Sequence, residues 1–129
     1  MPFDINAYFG VHAKALEIRD QRASQIANNL ANVNTPNYKA RDIDFKEAFS
    51  QALSPDGQLK VTSPLHMNLN SEFSTSLKFR TTNLVSLDGN TVDKDIETTE
   101  FAHNALNYQA SLSFLDGKIK SMITALRGE

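Results

Sequence analysis

Ile96-Glu-Thr-Thr-Glu-Phe101-Ala-His-Asn-Ala105-Leu-Asn-Tyr108-Gln-Ala-Ser-Leu112-Ser-Phe-Leu115-Asp-Gly-Lys-Ile119-Lys-Ser-Met122-Ile-Thr-Ala-Leu126-Arg127 decides the fold. Phe101, Tyr108, Leu115 and Met122 recur every seven residues, and Ala105, Leu112, Ile119 and Leu126 interleave four residues later. Apolar residues at that spacing share one face of a helix, so the stretch reads as one helix from about residue 96 to 127. Asp93 or Asp95 is positioned to cap it, Glu97 and Glu100 suit the positive N-terminal end, and Lys118, Lys120 and Arg127 suit the negative end. At 1.5 Å rise per residue it spans about 48 Å, too long for a short chain to wrap, so it needs a long partner.

The partner lies at the other terminus. Phe9, Leu16, Ala23 and Leu30 repeat every seven, and Ile26 and Val33 add a second row whose upstream members are His12 and Arg19. Pro2 precedes this helix and Asp4 or Asn6 can cap it. Asn28, Asn29, Asn32 and Asn34 crowd its end, and Thr35-Pro36 stops it, because proline disfavours a helical residue before it. The expected architecture is mainly α: an axial helix over 1–34, an irregular middle over 35–95, and a second axial helix over 96–129, with the helices pairing as a coiled-coil-like hairpin. All three segments form one structural unit. Within the middle, Phe45, Phe49 and Leu53 fit a short amphipathic helix, and Leu77 to Leu87 fits one or two short strands, with Leu77, Phe79 and Thr81 alternating.

Paired helices at the two ends offer more apolar surface than one contact covers. Ala102, Leu106 and Ile123 fall outside the C-terminal seam, and Ile5, Val11 and Ile18 outside the N-terminal one, so another subunit is needed for them.

Composition narrows the chemistry. The 129 residues carry 13 Lys and Arg against 15 Asp and Glu, a net charge of −2 without runs, which gives no footing for nucleic acid or an anionic membrane. Cysteine is absent, which removes disulfides, thiolate zinc sites and cysteine nucleophiles. No apolar stretch approaches a spanning helix, and the start lacks the pattern of a secretory signal. The chain holds 5 scattered glycines and no phosphate-binding loop. Glu100-Phe-Ala-His103 has the spacing of a carboxylate-bridged metal motif, but it needs a second copy that the chain lacks, so it reads as a solvent-facing helix start. His12 and His66 stand alone, and Ser63 near His66 lacks an oxyanion-hole signature. Lys39, Arg41 and Lys46 near Tyr38 make a basic cluster that Asp42, Asp44 and Glu47 cancel, so a solvated turn is expected. The chain is read as non-enzymatic and without cofactor.

Ala27-Asn28-Asn29-Leu30-Ala31-Asn32-Val33-Asn34-Thr35-Pro36-Asn37-Tyr38-Lys39 closely resembles the signature of the bacterial flagellar rod and hook family, which ends its N-terminal helix with Asn-[Leu/Ile]-Ala-Asn and a Thr-Pro-Gly-Tyr turn. Ala40-Arg-Asp-Ile-Asp-Phe45 and Asp88-Gly-Asn-Thr-Val-Asp93 look like the family's proximal rod member. Asn37 stands where the family has glycine; asparagine is the next residue able to adopt positive φ. The resemblance implies a structural subunit of a hollow periplasmic drive shaft, exported through the flagellar type III apparatus without a cleaved signal. The partners implied are other copies, the siblings FlgC, FlgF and FlgG, the FliE adaptor and MS-ring at the rod base, and the export gate. Assembly residues are then Phe9, Leu16, Ala23, Ile26, Leu30, Val33, Phe101, Ala105, Tyr108, Leu112, Leu115, Ile119, Met122 and Leu126. A sibling such as FlgC is the nearest alternative identity. A cytoplasmic helical adaptor or export chaperone is the alternative of a different class, and a di-iron helical enzyme a distant third.

Overall fold

In a computed structural model, residues 5–53, 76–81 and 86–128 are described. Pro2, Asp4, Ser63 and His66 lie outside them. The order is α1 (Ile5–Ala31), β1 (Arg41–Ile43), α2 (Phe45–Leu53), β2 (Leu77–Phe79) and α3 (Lys94–Arg127).

The last helix begins where a cap allows it. Asp93 has extended backbone, and its carboxylate accepts the amides of Asp95 and Ile96 at 3.0 and 3.2 Å. Asp93 is thus the cap, with Asp95 and Glu97 in the first turn as the dipole favours. At the other end Gly128, at φ 76°, closes the helix with its amide on Thr124 O. The first helix stops at Ala31, three residues short of the expected 34. The Asn32 side chain donates back to Asn28 O at 2.8 Å, and Val33 N bonds Leu30 O, so the backbone has already tightened into turns before Pro36 is reached.

The two helices pack antiparallel: Arg19 meets Asn104 and Ser111, Arg22 meets Glu100, and Asn29 meets Glu97. The segments between them in sequence contribute β1 and β2, which pair antiparallel, with Arg41 opposite Phe79 and Ile43 opposite Leu77. Ile18, Ile43 and Ala48 form a small buried cluster, covered by Phe45, Phe49 and Ala52 of α2. Ile18, left off the seam and expected to need another subunit, is therefore core: it packs with Ile43 of β1 and Ala48 of α2. The expected solvated turn at 39–47 is likewise two elements, β1 and the start of α2, which close over α1.

Among the described residues the buried apolar side chains are Ile18, Ile26, Ala40, Ile43 and Ala48, and the buried polar ones are Asn29, Asn90, Glu97 and Asn104. With so little apolar area removed from water, the hydrogen bonds of those polar groups fix the geometry; Asn104 takes part through its nitrogen, on Arg19 O, while its buried oxygen has no partner. Buried polar groups without partners would destabilise the fold.

Candidate functional site

The turn after α1 is where the signature residues converge. Tyr38 N donates to Thr35 O, Pro36 occupies the second position and Asn37 has φ 59°, which is the pattern of a type II turn. Asn37 is the one positive-φ residue other than glycine among the described residues, as its place in the signature predicts. Its amide donates to Asp88 O at 2.9 Å, and its side chain lies against Gly89: a Cβ on Gly89 would come within 2.5 Å of Asn37 Oδ1. The loop before α3 is thus laid directly on the turn. Thr91 N donates to Tyr38 O, and Ala40 N donates to the Thr91 hydroxyl at 2.8 Å.

Two asparagines tie this junction together. Asn90, from the loop, sends its amide nitrogen to the carbonyls of Asn32, Val33 and Thr35 at 3.0, 2.8 and 3.0 Å, while its oxygen accepts Val92 N. A helix end leaves carbonyls unsatisfied, and here a residue from a remote segment supplies the donors. Asn29, the second signature asparagine, is fully buried. Its nitrogen donates to Arg41 O and Glu97 Oε2, and its oxygen accepts from Gln25, Tyr38 OH and Arg41 N. One side chain therefore holds α1, β1 and α3 at fixed spacing. Asn32 and Thr35 bond each other at the rim. Asn28, Leu30 and Ala31 show no such role: Asn28 and Ala31 are exposed and Leu30 is half-buried.

Next to Asn29 runs a chain of ion pairs. Arg22 holds Asp42 through two bonds of 2.9 and 2.8 Å and reaches Glu100 at 2.8 Å; Arg80 holds Asp42 at 2.6 Å and Glu97 at 2.7 Å. Burial disfavours the Asp42 carboxylate, but the hydrogen bonds from Arg22 and Arg80 overcome this and pull its pKa below the ordinary value. At Glu97 burial wins over the Asn29 bond and the Arg80 charge, and its pKa is raised. Glu100 is thus engaged with Arg22 and not solvent-facing as expected, while His103 is exposed. Among the described residues no cluster of His, Asp and Glu has the arrangement to hold a metal, and no helix is long and apolar enough to cross a membrane.

The expected assembly residues separate into two groups. On α1, Ile26 is buried and Phe9, Leu16, Ala23, Leu30 and Val33 are half-buried. On α3, Leu115 and Met122 are half-buried, whereas Phe101, Ala105, Tyr108, Leu112, Ile119 and Leu126 stand exposed. The side of α3 turned to α1 presents Glu97, Asn104 and Ser111 instead. The leftover Leu106 and Ile123 are exposed at 67% and 43%, and Phe114, which is in neither heptad row, at 67%. Arg19 lies with its guanidinium carbon 4.0 Å from the Phe45 ring centroid and donates to Ser111 Oγ. Burial, and behind it the charge of Arg22, lower its pKa from the ordinary value.

Residues 9–39, which hold most of α1 and the turn, match the model of a family described as flagella basal body rod protein. A protein of Aeromonas hydrophila is 40% identical over 100% of this chain and 99% of its own length. The chain belongs to the flagellar basal body rod family. Relatives in Cereibacter sphaeroides, at 42% identity over 93% of this chain and 94% of theirs, and Escherichia coli K12, at 39% over 95% of each, share the name of the first, flagellar basal body rod protein FlgB. The rod family match ends at Lys39, so Asn90, Asp42, Arg80 and Glu97 lie outside it although they complete the junction. Only a weak signal pointed to Asn90 and Asp42, their places in the Asp88-to-Asp93 and Ala40-to-Phe45 stretches; Arg22 and Arg80 lie outside both and gave none.

Proposed function

We propose that this chain is the proximal rod subunit of the flagellum, a structural and non-catalytic protein that polymerises into the hollow periplasmic shaft carrying motor torque to hook and filament. The observation that carries the reading is the exposed apolar face of α3, running from Phe101 through Tyr108, Leu112 and Ile119 to Leu126 on a family member with a well-tied junction at one end. Surface of that kind marks an interaction site. At about 25 cal/mol per Å² of apolar area, a few hundred Å² per contact stabilises assembly by several kcal/mol before ordering costs.

In this reading the two helices form the axial wall, the asparagine junction sets the angle at which the middle segment leaves it, and neighbours cover the stripe on α3. Partners are other copies, FlgC, FlgF and FlgG, with FliE and the MS-ring at the base, reached after passage through the type III export gate without a cleaved signal. The test is a strain lacking the chain, complemented by the parent sequence and scored for swimming, with basal bodies isolated and probed for the chain. Loss of swimming and presence of the chain in the periplasmic rod are expected. A chain found only in the cytosol, with complete rods lacking it, overturns the reading in favour of an export adaptor.

A further inference from the structure

The two flanks of the α1–α3 contact differ in chemistry. With Asn104 and Ser111 facing α1, one flank is an open cleft of about 520 Å³ lined by Arg19, Arg22, Phe45, Lys46, Lys78 and His103 among others. The other is a smaller cleft of about 230 Å³ lined by Asp20, Ala23, Phe101, Asn104, Ala105 and Tyr108.

On the first flank Arg22 pairs with Asp42 and Glu100, and Lys78 with Asp44 and Glu47. Arg19 and Lys46 make no ion pair among the described residues. Arg19 is nevertheless fixed in place: Nε is held by Ser111 Oγ at 3.1 Å and its plane is held over Phe45. Its two terminal nitrogens remain available for a bidentate grip on a carboxylate, the geometry for which guanidinium is suited. On the second flank Asp20 is exposed and also makes no ion pair among the described residues, and it stands beside the half-exposed rings of Phe101 and Tyr108.

Residues 19 and 20 are successive on α1, so the two flanks lie at one height and about 100° apart around the helix. A contact of flank with opposite flank is heterologous. Each copy gives its acid to one neighbour and its guanidinium to the other, and such a row stays open unless rotation closes it.

We infer that the Arg19–Lys46 cleft receives the Asp20 carboxylate of a second copy of this chain, with Phe101 and Tyr108 covered at the same contact. The inference rests on the assembly role proposed above and specifies its lateral contact. Asp42 and Asp44, which also line the cleft, are occupied by Arg22, Arg80 and Lys78. They therefore do not neutralise the incoming site.

Because the chain has no cysteine, the contact can be tested by cross-linking. A strain expressing the chain with both Asp20→Cys and Lys46→Cys, treated with a short bismaleimide in isolated basal bodies, should give a ladder of dimers and higher multiples. Either substitution alone should give none. Both positions are exposed, so folding should survive, which circular dichroism of the purified variants checks. Independently, Asp20→Lys and Lys46→Asp should each shrink the swim halo by about two-fold or more, because like charges then face each other. The two together should recover part of it, since Arg19 remains as a cation in the cleft while the charge at position 46 now suits its partner. Swimming cells whose basal bodies contain the chain but yield no ladder overturn the inference, as does a ladder to a different protein only, or a double charge swap no better than either single. Absence of the parent chain from basal bodies would instead overturn the assembly role itself.

Discussion

Removing the Asn90 amide is the sharpest test of how the junction is held. In Asn90→Ala the carbonyls of Asn32, Val33 and Thr35 lose a donor that is itself only 5% exposed, and Val92 N loses its acceptor. An amide nitrogen has two hydrogens, so the three contacts amount to two bonds' worth. At about 1 kcal/mol net per bond, with a further 1 to 3 for buried groups left unpaired, the substitution should destabilise the fold by about 3 kcal/mol. With a urea slope of about 1.5 kcal/mol per molar, the midpoint should fall by about 2 M. Urea titration of the purified chain followed by circular dichroism reads this directly. Asn90→Asp sharpens the logic, since it keeps an oxygen for Val92 N but turns a carboxylate oxygen toward three carbonyls. It should cost more than alanine at neutral pH. If Asn90→Ala moves the midpoint by less than about 0.3 M, the carbonyls are satisfied by other means and the junction does not depend on this side chain.

Other outcomes follow from the same geometry. At Asn37, with φ 59°, glycine should be tolerated and valine should destabilise by about 1 to 3 kcal/mol in the same titration. Gly89→Ala should destabilise as well, because Gly89 sits at φ 73° and its methyl would in addition displace the Asn37 side chain. Leu112→Asp should abolish swimming while leaving the monomer's melting curve within about 0.5 kcal/mol of the parent, since Leu112 is 49% exposed; a collapse of the monomer would show the side chain to be core. Acid should act in two stages. Glu97, with a raised pKa, takes up its proton more readily folded than unfolded, so stability should hold or rise as pH falls toward 4.5. Asp42, with a lowered pKa, contributes stability above 3.8 that is lost as pH falls through its folded value, so melting temperatures should drop only there. A monotonic loss from neutral pH downward would contradict the opposite signs.

The two long helices were legible because seven-residue periodicity depends on local spacing alone, and α2 and β2 because Phe45, Phe49 and Leu53 and the Leu77–Phe79 alternation do too. The positive φ of Asn37 was legible through the signature and its proline. Ile18 was misplaced because a heptad seam presumes one partner, whereas α1 has α3 on one side and α2 on another. The ion-pair chain was hidden for a different reason. Arg22, Asp42, Arg80, Glu97 and Glu100 come from α1, β1, the end of β2 and α3, and each alone resembles ordinary surface charge. Asn90 sat in a stretch whose composition says turn, and composition does not reveal that a turn residue also terminates a helix 58 positions away.

The end-to-end wiring of the junction also sets a timetable. Its bonds join Asn32 to Asn90, Asn29 to Glu97, Arg19 to Asn104 and Arg19 to Ser111, separations of 58, 68, 85 and 92 residues. Closing a loop of about 70 residues costs roughly 4 kcal/mol of chain entropy before any of these bonds repays it. Such non-local contacts slow folding. A growing chain cannot complete the junction until the residues beyond 104 have left the ribosome, and until then the first helix has neither its partner nor its terminal donors. The same wiring that sets the helices at a fixed angle therefore keeps the newborn chain open through most of its synthesis.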